Sequence, residues 1–209
     1  MHVPLSVVDV TLVGVKHNDP APPSGAAPRP PADPPYHRPR HTGIVDVHLI
    51  VRRGPDVLLA RRANTGYGDG LLHAPSGHVE AGEDVRAAMI REAREETGLR
   101  LAPGDLRVAL VMQHRGPGGA PRTGWFFEAE HGAGGEPVNA EPGKCSELGW
   151  FPLHALPADL VGYCRAGLDA YRAGERFVLH WHHDDDPIAY DPARDRAEHL
   201  PATVPRATP

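Results

Sequence analysis

Glu92, Glu95 and Glu96 carry the strongest chemical signal in this chain. On a helix, residues spaced i, i+3 and i+4 share one face, so three carboxylates would be crowded together. Like charges at these spacings repel by roughly a few tenths of a kcal/mol per pair on an exposed helix, and by more in a cleft. A hard divalent cation removes that cost. Magnesium or manganese takes carboxylate oxygens and keeps places for water and phosphate oxygens. The chemistry that such a cluster serves is metal-assisted reaction of a phosphate chain.

The acids need a helix and a loop to position them. Asp84 to Thr97 reads as that helix, with Asp84 near its start and Gly98 placed for a left-handed cap. Met89, Ile90 and Ala93 form a neighbouring apolar face that packs on a core. Pro75-Ser76-Gly77-His78 and Ala81-Gly82-Glu83 precede it. Their glycines let the backbone bend tightly and turn a carbonyl toward the acids.

Taken together, Gly77-x5-Glu83-x7-Arg91-Glu92-Ala93-x-Glu95-Glu96-x-Gly98-Leu99 resembles the Nudix box. Ala93 stands where a larger aliphatic is more common, and Ser76 replaces the first glycine of the usual Pro-Gly-Gly loop. The resemblance implies an α/β/α sandwich around a central mixed β-sheet. It also implies metal-dependent hydrolysis of a nucleoside diphosphate linked to another group. Carried over by position, Glu92, Glu95 and Glu96 are the expected ligands of Mg2+, or of Mn2+, with the Gly77 carbonyl adding an oxygen. Arg91 orients these acids and Glu83 is its ion-pair mate, which completes the expected catalytic set. The base that orients the attacking water is either a box acid or a carboxylate from a later loop, among Glu136, Glu141 and Glu147.

Two segments outside the box are expected to form the rim of the site. Arg61 to Gly70 offers Arg61 or Arg62 to a phosphate and Tyr67 to a base. Asn139 to Phe151 contains Glu-Pro-x-Lys-Cys-x-Glu-Leu-x-Trp-Phe, a run that resembles a MutT-like bacterial Nudix subgroup. It brings Glu141 toward the substrate, while Trp150 and Phe151 suit the core better than a base contact. A proline placed shortly after the box marks many ADP-ribose hydrolases of the family, and Pro117 falls slightly late for it. A tyrosine typical of dinucleoside polyphosphate enzymes is missing. By elimination, the expected substrate is a nucleoside triphosphate or modified deoxynucleoside triphosphate, cleaved to the monophosphate and pyrophosphate. The alternatives are ADP-ribose or another nucleoside diphosphate derivative, and a Nudix-fold binding module without turnover.

Composition narrows the partners. Among 209 residues the formal net charge is −5, which argues against a nucleic-acid polymer as partner, since such binders present a basic face. No apolar run is long enough to span a bilayer, so no membrane partner is expected. The expected partner is a small-molecule nucleotide, and a homodimer is left open. Cys145 and Cys164 read as free thiols, consistent with a cytoplasmic location.

Along the chain, residues 1–40 read as an N-terminal arm, with a strand-like start at Met1 to Lys16 and a linker with nine prolines at Asn18 to Arg40. Residues 41–182 read as the hydrolase domain. Its expected strands are Ile44–Arg52, Val57–Arg62, Leu106–His114, Trp125–Glu130 and Leu148–Leu153, with a loop at Gly116–Gly119. A second helix is expected at Ala158–Ala173 and an edge strand at Phe177–Trp181. Residues 183–209 read as an irregular tail. At the junction of domain and tail, His180, His182 and His183 beside three aspartates are expected to form an exposed run with incidental metal affinity.

Overall fold

The computed structural model describes residues 42–115, 121–183, 185–194 and 197–199. The arm, its strand-like start, Gly116–Gly119 and Pro117 lie outside the described residues. The fold is an α/β/α sandwich. Strands β1 (Ile44–Arg53), β2 (Asp56–Arg62), β3 (Leu72–His73), β4 (Ser76–His78), β5 (Arg107–Arg115), β6 (Pro121–Glu130), β7 (Cys145–Pro152), β8 (Phe177–Trp181) and β9 (Ala197–His199) form one mixed sheet. Helix α1 (Val85–Thr97) packs on one face and α2 (Gly162–Ala173) on the other.

β1 shows why both faces are covered. Val47, Leu49 and Val51 point into the layer with Met89 and Ala93 of α1, while Ile50 points into the layer with Cys164 and Leu168 of α2. A strand buried on both sides has few polar positions to spare, and β1 keeps two buried ones, Asp46 and His48. β1 runs parallel to β6 along its length, and Asp46, Val47 and His48 pair antiparallel with His78, Gly77 and Ser76 of β4. That second pairing fixes the loop before α1 against the centre of the sheet.

Local chemistry sets the bounds of α1. The Asp84 carboxylate accepts hydrogen bonds from the Arg86 and Ala87 amides at 2.8 and 2.9 Å, and Gly98 closes the helix at φ 69°. Four elements depart from the sequence reading, and one of them is β7, which begins at Cys145 rather than Leu148. α2 begins at Gly162 rather than Ala158, because the Leu72 amide donates to Asp159 O and the Val161 amide donates to Leu72 O. Those bonds hold residues 159–161 extended. β6 starts at Pro121, four residues before the apolar run begins at Trp125. β8 is no edge strand: β9, inside the segment read as irregular, pairs with it antiparallel.

Candidate active site

α1 and β4 meet so closely that any side chain at position 77 would displace the Glu92 carboxylate. A Cβ on Gly77 would lie 2.0 Å from the Cδ and Oε1 atoms of Glu92. One residue back, the Ser76 amide donates to Glu96 Oε2 at 2.9 Å. The register of β4 on β1 therefore aims two box acids into a shared cleft.

Arg91 clasps the acids from the side. Its guanidinium donates to both Glu83 oxygens, to Glu92 Oε1 at 2.7 Å, to Glu95 Oε2 at 3.2 Å and to the His78 carbonyl at 2.9 Å. Glu83 also accepts from the Glu80 amide. These donors hold the Glu83 carboxyl below the usual range, the Arg91 hydrogen bond most of all. A planar fork suits this task, since it meets several carboxylates at fixed angles.

Glu96 lies in the opposite regime. Burial pushes its carboxyl up to about 8, with Glu92 and Glu141 adding repulsion against the opposing Ser76 amide. Burial also raises Glu92, against the pull of Arg91. Buried acids that repel one another favour a bound cation, and the oxygen-only donor set suits a hard one. Among the described residues, no group of three His, Cys, Asp or Glu side chains is gathered to enclose an ion unaided.

The acids line a cavity of about 760 Å³ that also takes in Arg62, Tyr67, Glu141 and Lys144. Its size falls within the usual range for small-molecule sites, roughly 300–1,000 Å³. Arg62 donates to the Tyr67 carbonyl at 2.7 Å and shapes the loop that carries Tyr67. Glu141 bonds Lys144 Nζ at 2.9 Å. Arg61 is not on the cavity wall. Side chains alternate along β2, so Arg61 points away from Arg62 and is held by Glu147, Asp159 and the Gly70 carbonyl. Those bonds withdraw Glu147 from the cavity as well, and Glu136 pairs with His131 on an exposed loop. Of the three loop acids, Glu141 alone lines the cavity. Trp150 and Phe151 pack into opposite layers.

The His-rich segment is not the exposed run expected from sequence. His180, on β8, and His182, whose amide donates to the Arg115 carbonyl just past β8, are buried, and of the three only His183 is exposed. Cys145 and Cys164 are free thiols. Burial pushes the Cys145 thiol up, which leaves it a poor nucleophile although it lines the cavity.

Several residues that line the cavity were not singled out from sequence: Asp46, His48, His73, His114, Arg122 and Tyr163. Asp46 and His48 did leave a signal, as two polar residues spaced i, i+2 inside the apolar run of β1. Asp46 accepts from Arg122 Nη1 at 3.2 Å, and that same nitrogen lies 3.2 Å from His78 Nε2.

The NUDIX domain family model matches residues 41–171. NAD-capped RNA hydrolase NudC of Chromobacterium violaceum is 32% identical over 109 residues, which cover 52% of this chain and 38% of that protein. The chain thus spans about two fifths of the length of that curated relative. An ADP-ribose pyrophosphatase of Methanocaldococcus jannaschii is 42% identical over 55 residues, 26% of this chain and 32% of the relative. The crystal structure of a MutT NUDIX hydrolase from Burkholderia pseudomallei superposes with a TM-score of 0.56 at 29% identity, covering 62% of this chain and 98% of that one. With the family model matched over more than half of the chain, the chain belongs to the NUDIX domain family.

Proposed function

We propose that this protein hydrolyses a nucleoside triphosphate, or a modified deoxynucleoside triphosphate, to the monophosphate and pyrophosphate. The observation that carries this reading is the single cavity in which Glu92, Glu95 and Glu96 face Arg62, Arg122 and Lys144. Glu92, Glu95 and Glu96, with the Gly77 carbonyl, are the residues that would hold Mg2+ or Mn2+. When bound, the metal neutralises phosphate charge and acidifies a coordinated water. Arg62, Arg122 and Lys144 attract and orient the phosphate chain. Glu141, close enough to raise both Glu92 and Glu96, is the loop carboxylate placed to orient or deprotonate the attacking water. Arg91 fixes the acids through its fork and makes no phosphate contact. Catalysis of this kind rests on positioning and charge neutralisation.

A second reading, a nucleoside diphosphate linked to another group, draws on the relatives named for ADP-ribose and NAD-capped RNA. One experiment separates the two: a magnesium-dependent nucleotide screen with separate detection of phosphate and pyrophosphate. Triphosphates that release pyrophosphate support the first reading. ADP-ribose giving AMP replaces it with the second, and no turnover of any nucleotide overturns both. In the same assay Glu96→Gln, nearly isosteric, is expected to lower kcat by roughly two to four orders of magnitude, a loss typical of disabled metal or acid–base groups. Wild-type turnover in Glu96→Gln would remove Glu96 from the mechanism.

A further inference from the structure

The cavity reaches past the acids to the face of the sheet covered by α2, where its wall is made of rings. His48 comes from β1, His114 from β5 and Tyr163 from α2. The Tyr163 ring lies 5.5 Å from His48 and 5.2 Å from His114, centroid to centroid. His48 stacks on Phe126 at 4.3 Å. Two glycines clear the space for that stack. A Cβ on Gly124 would sit 3.1 Å from His48 Nε2, and one on Gly167 would sit 2.3 Å from Phe126 Cζ. His48 is 3% exposed, yet among the described residues no protein hydrogen bond reaches its ring nitrogens or the Tyr163 hydroxyl. Behind His114, His180 Nδ1 lies 2.9 Å from His114 Nδ1, which leaves Nε2 as the one His114 nitrogen available to the cavity.

We propose that His48, His114 and Tyr163 form a subsite for the uncharged heterocyclic base of the substrate, and that the ring edge of His48 decides which base is preferred. This rests on the nucleotide reading above. Burial, with repulsion from His73 for His48 and from His180 for His114, drives both imidazoles down to about 3. They are neutral near pH 7, so each offers a hydrogen-bonding edge and no charge. Such a wall offers a phosphate no opposite charge, and it matches the donor and acceptor edge of a flat neutral ring. Because the acids come from α1 and the rings from β1, β5 and α2, acids and base are held by different elements. His180 is a positioning residue: through its Nδ1 contact it holds the orientation of the His114 ring without touching the base.

The test uses nucleosides, which carry no phosphate, and the full chain without added metal. Adenosine, guanosine, cytidine and thymidine are titrated while the histidine ring resonances are followed by NMR. At least one nucleoside is expected to shift the His48 and His114 resonances saturably. Tyr163→Phe, which removes one hydroxyl, is expected to weaken that nucleoside about tenfold. His48→Leu is expected to raise KM at least tenfold and to flatten the preference among bases, with a smaller change in kcat. His48→Gln, which restores a polar edge, is expected to recover part of the preference. His180→Phe is expected to weaken binding while leaving the His48 shift. Nucleoside binding in a protein that hydrolyses nothing would keep the subsite and sink the hydrolysis reading. Hydrolysis with no nucleoside effect on these resonances would sink the subsite. So would an unchanged base preference in a folded His48→Leu variant, with folding checked by circular dichroism.

Discussion

Gly77 and Glu92 act as a pair. A methyl group at position 77 would occupy the space of the Glu92 carboxylate, which is the far end of a flexible side chain. Gly77→Ala is therefore expected to displace that carboxylate rather than unfold the protein. Turnover should fall at least tenfold while the unfolding free energy from urea titration shifts by no more than about 1 kcal/mol. Full turnover in this variant would show that Glu92 is not needed where the structure places it. Arg91 tests the same geometry from the other side. Its fork binds Glu83, Glu92, Glu95 and the His78 carbonyl together, and the compact ammonium of lysine cannot span them. Arg91→Lys should keep the charge and lose most of the turnover, and Arg91→Ala should also lose roughly 1–3 kcal/mol of stability, as hydrogen bonds to charged groups do. Parallel kinetic and urea measurements on the two variants check this.

At the level of elements, signals confined to one segment were legible and signals shared between segments were not. α1 was readable because its cap, its acids and its terminal glycine all lie within one turn of where they act. The start of α2 was not, since Leu160 and Val161 fit a helix as well as they fit the extended pairing with Leu72 that they adopt. β9 carries no apolar alternation and forms on the exposed side of β8. The choice between Arg61 and Arg62 depended on which face of β2 meets the cavity, and only the pairing of β2 with β7 and β3 sets that. The contact between α2 and the sheet gives a sharp test. Phe126 is fully buried against Gly167, so an added Cβ at 2.3 Å has nowhere to push it. Gly167→Ala is expected to cost about 1–3 kcal/mol by overpacking. Asp84→Ala, which strips the α1 cap, should cost about 1 kcal/mol. Equal stability of Gly167→Ala and wild type in urea would contradict the packing described here.

Across the whole molecule, the box acids could be found from sequence because they are contiguous, whereas His48, His73, His114 and Tyr163 meet only once four separate elements are assembled. Their burial has a consequence for the entire fold. Burial drives His48, His73 and His114 down to about 3 and His180 down to about 4. In the unfolded chain each would titrate near 6.5. Between those values the unfolded state holds protons that the folded state excludes, so stability rises with pH there. The contribution is fully present above about 6.5 and is lost as pH falls toward 3. Each histidine adds up to about 1.4 kcal/mol per pH unit within that window. Glu96 works in the opposite sense: its carboxyl is raised to about 8, so it stabilises the fold at low pH and loses that contribution as pH climbs from about 4.5 to 8. Glu92 and Asp46, also raised by burial, act in the same sense as Glu96, and the four histidines outweigh these three carboxyls below pH 6.5. Urea midpoints measured from pH 5 to pH 7 should therefore rise steeply. His73→Gln, which removes one buried imidazole, should make that rise shallower by about one proton's share. A flat profile in the wild-type protein would mean that these histidines are not held neutral in the folded state, and the wall of uncharged rings would have to be abandoned with them.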